Sequence, residues 1–148
     1  MRPAADKGAP PLAVPATVGR RALALIYEAL LLVAVVFVGS LPFVMLTHDA
    51  ENHIARPLFQ VYLVALTGLY YVWQWRRGGQ TLAMKTWRMR LVTRAGAPLT
   101  WTHALKRFAF ALPGTLLFGA GFLWALADPE KLFLHDRLAG TKIIMSDE

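Results

Sequence analysis

The sequence predicts an all-α integral membrane protein: two spanning helices, a third apolar segment broken by proline and glycine, and a small β-hairpin-like element in the cytoplasm. Three observations carry that expectation. Hydrophobic residues make up 56% of the 148 residues and mean hydropathy is positive, a balance that small soluble domains seldom show. The apolar residues are gathered into three long runs. The formal charge of +7 is concentrated between those runs, a pattern of membrane topology rather than of a nucleic-acid-binding face. The chain has no cysteine, which excludes disulfides, thiolate metal sites, cysteine nucleophiles and cysteine-linked lipids.

Taken in order, residues 1–19 contain four prolines and little large apolar surface. Such a segment cannot offset the entropy of ordering, and it reads as a disordered cytoplasmic tail. Residues 22–46 carry a single charge, Glu28, and the uncharged part, 29–46, is 18 residues long. That is close to the roughly 20 residues a spanning helix needs and longer than the roughly 7 to 15 of a signal-peptide core. A polar turn at 47–56 leads to a second apolar segment, 57–75. Tyr70, Tyr71, Trp73 and Trp75 close it with rings that favour the headgroup layer. The glycines of RRGGQT read as a flexible exit from that helix.

Residues 76–107 hold eight basic side chains and no acid, so the positive-inside rule places this segment and the N-terminus in the cytoplasm. Within it RMRLVT alternates like a strand, AGAP is a turn, and LTWTHALKRF begins a helix with Thr100 or Thr102 as its cap. The third apolar run, 108–127, is interrupted by Leu112-Pro113-Gly114 and weakened at Gly119 and Gly121. After the turn signal DPEK, the β-branched piece TKIIM is the natural partner of RMRLVT. If the two pair, the C-terminus is cytoplasmic and the third run re-enters; otherwise it is a third span.

The candidate functional charges are Arg21, Glu28 and Asp136, with His135 and Arg137 as secondary candidates. Arg21 and Glu28 are seven residues apart, on one helix face but about 10 Å apart along the axis, too far to pair directly. Arg21 can snorkel, whereas an unpaired Glu28 ion inside the bilayer costs about 2 to 3 kcal/mol or more, so Glu28 is neutral, paired or hydrated. The segment LHDRLAGT offers partners: Glu28 with Arg137 and Asp136 with Arg21, or the crossed arrangement with an arginine of the 76–107 loop. His135 could titrate near neutral pH or serve as a structural hydrogen-bonding group. His48 and His53, near Asp49 and Glu51, have spacing that does not suit a helical metal pair, and the expected metal and cofactor complement is none. With no nucleophile and base, no phosphate loop and no acid dyad, the chain is not expected to be an enzyme. No internal repeat supports a self-contained two-half transporter, so a homo-oligomer would supply any symmetry.

An arginine before the first membrane helix, an acid seven residues later, GQTLAMKTWRMRLVTRAGAPLTWTHALKR after the second and LWALADPEKLFLHDRLAGTKII near the end resemble the RDD family of small prokaryotic membrane proteins. That family is named for one arginine and two aspartates. The arginine matches Arg21, with Arg20 the alternative register, and the second aspartate matches Asp136. The first aspartate falls on Glu28, which keeps an ionisable acid but lengthens it by a methylene. The resemblance implies an α-helical, multi-pass protein of the bacterial inner membrane with a role in transport, sodium or proton exchange being linked to some members. The alternative is an accessory protein whose basic loop docks a protein partner or anionic lipid. The bilayer, a proton or monovalent cation and a second copy or other protein are the expected partners, and nucleic acid is not.

Overall fold

The structure, a computed structural model, describes residues 14–47 and 53–146. His48, Asp49 and Glu51 of the polar turn and the first thirteen tail residues lie outside them. In chain order the elements are α1 (Val18–Thr47), α2 (Ala55–Gly78), α3 (Leu82–Thr86), β1 (Met89–Thr93), α4 (Trp101–Leu116), α5 (Ala120–Ala127), α6 (Leu134–Ala139) and β2 (Thr141–Met145).

The 30 residues of α1 extend about 45 Å at ~1.5 Å per residue. Among the described residues α1 is the one continuous helix long and apolar enough to cross a membrane. Its buried positions are Arg21, Ala24 and Glu28, a single stripe at helical spacing. Leu23, Ile26, Leu30, Val33, Phe37 and Val38 are exposed on the rest of its surface, a continuous apolar patch of the kind that contacts lipid or protein. The helix α2 has the length to match, with 24 residues, but is less apolar, since its ends carry Arg56, Arg76 and Arg77.

The third apolar run is bent, and the bend falls later than the sequence predicts. Pro113 stays inside α4, which continues to Leu116. A proline at that point removes one helical hydrogen bond without stopping the chain. The turn comes at Phe118 and Gly119, where φ is 54° and 77°, and α5 leaves at 97° to α4. Gly114 and Gly121 face each other across the bend, and a Cβ on either would lie 3.1 Å from the other's Cα. The close approach of α5 to α4 at Gly114 and Gly121 therefore depends on two absent side chains.

RMRLVT and TKIIM do pair: β1 and β2 form an antiparallel ladder with Leu91 opposite Ile143 and Thr93 opposite Thr141. Residues 14–19, expected in the disordered tail, are ordered. The Ala16 N–H donates to Ile143 O (3.2 Å), the Met145 N–H donates to Val14 O (2.9 Å), and Pro15 bridges Ile144. The free edge of β2 offers unpaired groups, and a proline is tolerated there because an edge residue can spare its donor.

RRGGQT is also firmer than a flexible exit. Gly79 caps α2 in the left-handed region with φ 66°, and its carbonyl accepts from the Leu91 N–H at 2.6 Å. A Cβ at Gly79 would sit 2.7 Å from Leu91 O, so glycine lets α2 end against β1. Thr81 then caps the short α3, its hydroxyl accepting from the Met84 N–H. Trp75, Met84, Met89, Leu91, Phe133 and Ile143 share a core here. At this end of the molecule the start of α1, the end of α2, α6 and the sheet converge.

Candidate functional site

The sequence places an acid in α1 and the structure shows what surrounds it. Glu28 is buried, with 7% of its surface exposed. Tyr70 of α2 donates its hydroxyl to Glu28 Oε1 at 2.9 Å, and the Thr81 hydroxyl donates to Oε2. Thr81 thus serves two roles at one turn, capping α3 through one lone pair and holding Glu28 through its proton. Among the described residues no cationic side chain forms an ion pair with Glu28.

Asp136 has a different environment. It is fully buried on α6, and Oδ1 lies 2.9 Å from Arg107 Nε while also accepting from the Thr141 hydroxyl at 2.9 Å. Arg107, from the first half of α4, is itself buried, and its Cζ sits 4.5 Å from the Trp75 ring centroid. One pair thereby ties α4, α6, β2 and α2 together. Two charges removed from water in this way are stable only as a pair.

Both pairings expected for the LHDRLAGT segment are therefore corrected. Arg137 does not reach Glu28. It projects from the short α6 to Asp128 Oδ1 at 2.6 Å and Glu130 Oε1 at 3.6 Å, with 40% of its side chain exposed. Arg21 does not pair directly with Asp136, nor does it snorkel to an interface. It is buried, donates from Nη2 to the Lys131 carbonyl and places its Cζ 4.8 Å from the Phe133 ring centroid. The expectation of an arginine from the 76–107 loop holds for Asp136, through Arg107, although that residue belongs to α4. Burial pushes the Asp128 carboxyl up, but the Leu132 N–H, the Arg137 guanidinium and the Glu130 N–H hold it below the usual carboxylate range.

His135 does not titrate near neutral pH. It is buried edge-to-face against Phe122 at 5.2 Å, and desolvation followed by the Arg107 charge lowers its pKa to about 4. It is a neutral ring at pH 7.

Above this cluster lies a cavity of about 500 Å³. Arg21, Glu28, Arg107 and His135 line its polar end, and Leu25, Leu32, Leu112, Phe122 and other apolar side chains from α1, α4 and α5 line the remainder. Asp136 sits outside the lining, behind Arg107. Glu28 is thus the carboxyl that faces open space, held by neutral donors. Such a group can gain or lose a proton, or take a monovalent cation, without breaking an ion pair. Among the described residues no cluster of three metal-ligating side chains occurs.

Fold and site together define a mostly helical protein with a membrane-length apolar helix and a buried charge cluster beneath an apolar cavity. The sequence pattern of the RDD family matches residues 15–140, and the chain belongs to that family. No curated protein and no solved structure matches it. Membership and the apolar α1 point to a membrane protein. Sequence reasoning missed Tyr70, Thr81, Arg107 and Thr141 as partners. Tyr70 was indistinguishable from an interfacial anchor, and Arg107 was one of eight basic residues in a row of loops and helix starts.

Two outcomes follow for stability in detergent. Asp136→Asn strands the buried Arg107 charge and lowers stability by about 3 to 5 kcal/mol, while Arg137→Ala, which removes a half-exposed partner, costs about 1 kcal/mol or less. Thermal unfolding of the two variants beside the native chain separates them. Between the ordinary histidine pKa of 6.5 and about 4, the unfolded chain binds a proton at position 135 that the folded chain does not. Stability from this group is therefore full above the upper value and declines as pH falls through that window. Unfolding midpoints measured across the window should fall less steeply with acid in His135→Gln than in the native chain.

Proposed function

We propose that this chain is a multi-pass protein of the bacterial inner membrane that moves a proton or monovalent cation, or a small solute coupled to one, through Glu28. The observation that carries the reading is a buried carboxylate lining a cavity with neutral donors and, among the described residues, no ion-pair partner. Asp136, already engaged by Arg107, serves as a fixed counter-charge. Intramembrane acids of the Glu28 kind mark proton and ion pathways more often than passive structure.

The topology has the N-terminus and the basic 76–107 segment in the cytoplasm, with α1 and α2 spanning. Antiparallel pairing of β1 with β2 supports a cytoplasmic C-terminus, because β1 belongs to the basic segment. The bend between α4 and α5 is then a re-entrant turn; its tip, Leu116 to Phe118, is exposed, and broken backbone at membrane depth requires cover from protein or a water-filled cavity. A second reading, the accessory one, is favoured by the Arg107–Asp136 pair, which behaves as a structural clasp. In that reading the charges lock the bundle, and the basic segment docks a protein or anionic lipid. Neither reading involves catalysis, a cofactor or nucleic acid.

Ser146→Cys supplies the only cysteine in the chain. An impermeant thiol reagent should modify it from the cytoplasmic side of oriented vesicles alone; modification from the opposite side alone rules out the re-entrant arrangement. For function, the protein in sealed liposomes with an imposed proton gradient should dissipate it on adding sodium or potassium. Glu28→Gln should reduce that rate by about tenfold or more, equivalent to about 1.4 kcal/mol in barrier height. Absence of flux from well-folded native protein leaves the accessory role.

A further inference from the structure

The cavity has a chemistry of its own beyond a site for a small cation. Its volume of about 500 Å³ lies within the roughly 300 to 1,000 Å³ of small-molecule sites. A bare ion fills little of it. Its walls are apolar along α1, α4 and α5, through Leu25, Leu32, Leu112 and Phe122, and Phe118 and Leu123 line it at the α4–α5 bend. Charge is confined to one end. There Arg21 and Arg107 are each 4% exposed, and Arg21 Nε has no partner. Arg107 meets Asp136 through Nε at 2.9 Å, but the contact lacks hydrogen-bond geometry, and this Nε is a second buried donor without a hydrogen bond. Buried guanidinium donors left open in this way favour a carboxylate or phosphate oxygen.

We infer that the cavity binds a single-chain acidic amphiphile, its apolar chain along Leu25, Leu32, Leu112 and Phe122 and its carboxylate or phosphate head at Arg107 and Arg21. Occupancy rests on the cavity and its open donors and does not require the transport reading. The coupling to protons does rest on it. Arg21, Arg107, Glu28 and Asp136 balance in charge before a ligand enters, so an entering anion is accommodated when Glu28 accepts a proton. Around Glu28 stand Arg21 on its own helix, Tyr70 and Tyr71 from α2, Arg107 from α4 and His135 from α6, with Thr81 as the contribution of the α3 turn. His135, on α6, is uncharged near pH 7, leaving Glu28 as the group that adjusts.

The test uses the full chain in nanodiscs of neutral phosphatidylcholine with a diazirine-bearing palmitic acid, the labelled positions being read by mass spectrometry. Labelling is expected on Leu25, Leu32, Leu112 and Phe122, and unlabelled palmitate or lysophosphatidic acid should suppress it about tenfold, whereas hexadecanol should not. Which acid competes better identifies the head. Ala111→Phe, which fills the cavity from α4, should abolish the label while keeping the native unfolding midpoint. Labelling should be stronger at acid than at alkaline pH in the native chain and equal at both in Glu28→Gln. Labelling confined to outward positions such as Leu30 and Phe37, equal competition by the alcohol, or retention in a folded Ala111→Phe overturns the inference. Cation flux without cavity labelling would do the same and leave the transport reading standing, while labelling without flux would reject transport and keep the site.

Discussion

The contact between Arg107 and Asp136 is the one on which the rest of this structure depends. It joins an arginine in the middle of an amphipathic helix to an aspartate on a six-residue helix that would have no stability alone. Thr141 binds the same carboxylate oxygen from the first position of β2, so the strand register and the helix position are set at one atom. Trp75 lies over the guanidinium and anchors the end of α2. A buried ion pair adds little net stability compared with apolar packing, but it penalises any arrangement in which one charge is left unpaired. Its contribution is to select one packing of several short elements.

That selection leaves a division of labour between the two acids. Asp136 is enclosed and committed, whereas Glu28 faces the cavity and is held by two hydroxyls. The longer side chain at position 28 reaches Tyr70 and Thr81 from different elements, one on α2 and one at the start of α3. Arg21 completes the polar end by bonding a carbonyl of the segment before α6. The cluster therefore spans both ends of the chain, and the cavity above it exists because α1 packs chiefly on α2 and α3 while α4 turns away into the bend.

Much of the scaffold was legible because its signals are local. The apolar length of α1, the Thr100 cap of α4, the turn after β1 and the pairing of two short β-branched segments each follow from adjacent residues. The three charges of the RDD pattern could be assigned for the same reason, as positions within motifs. Less legible were the bend, which skipped Pro113 for Phe118 and Gly119, and the ordering of residues 14–19. A proline inside a helix is tolerated when neighbours hold the chain, and an edge strand recruits whichever segment passes beside it. Both are decided by what lies nearby in space.

By itself the sequence determined that the chain carries a membrane-length apolar helix, a basic stretch between apolar runs and an isolated acid at Glu28. These are properties of composition and spacing along a single chain. Only the tertiary structure decided that Asp136 takes Arg107, that Arg137 turns to Asp128, that Glu28 is held by Tyr70 and Thr81, and that His135 is a neutral ring. Several basic residues are equivalent partners for an acid when read in line. Burial makes them unequal, because each charge removed from water must meet a complementary group at hydrogen-bonding distance, and only the packed helices determine which one is there.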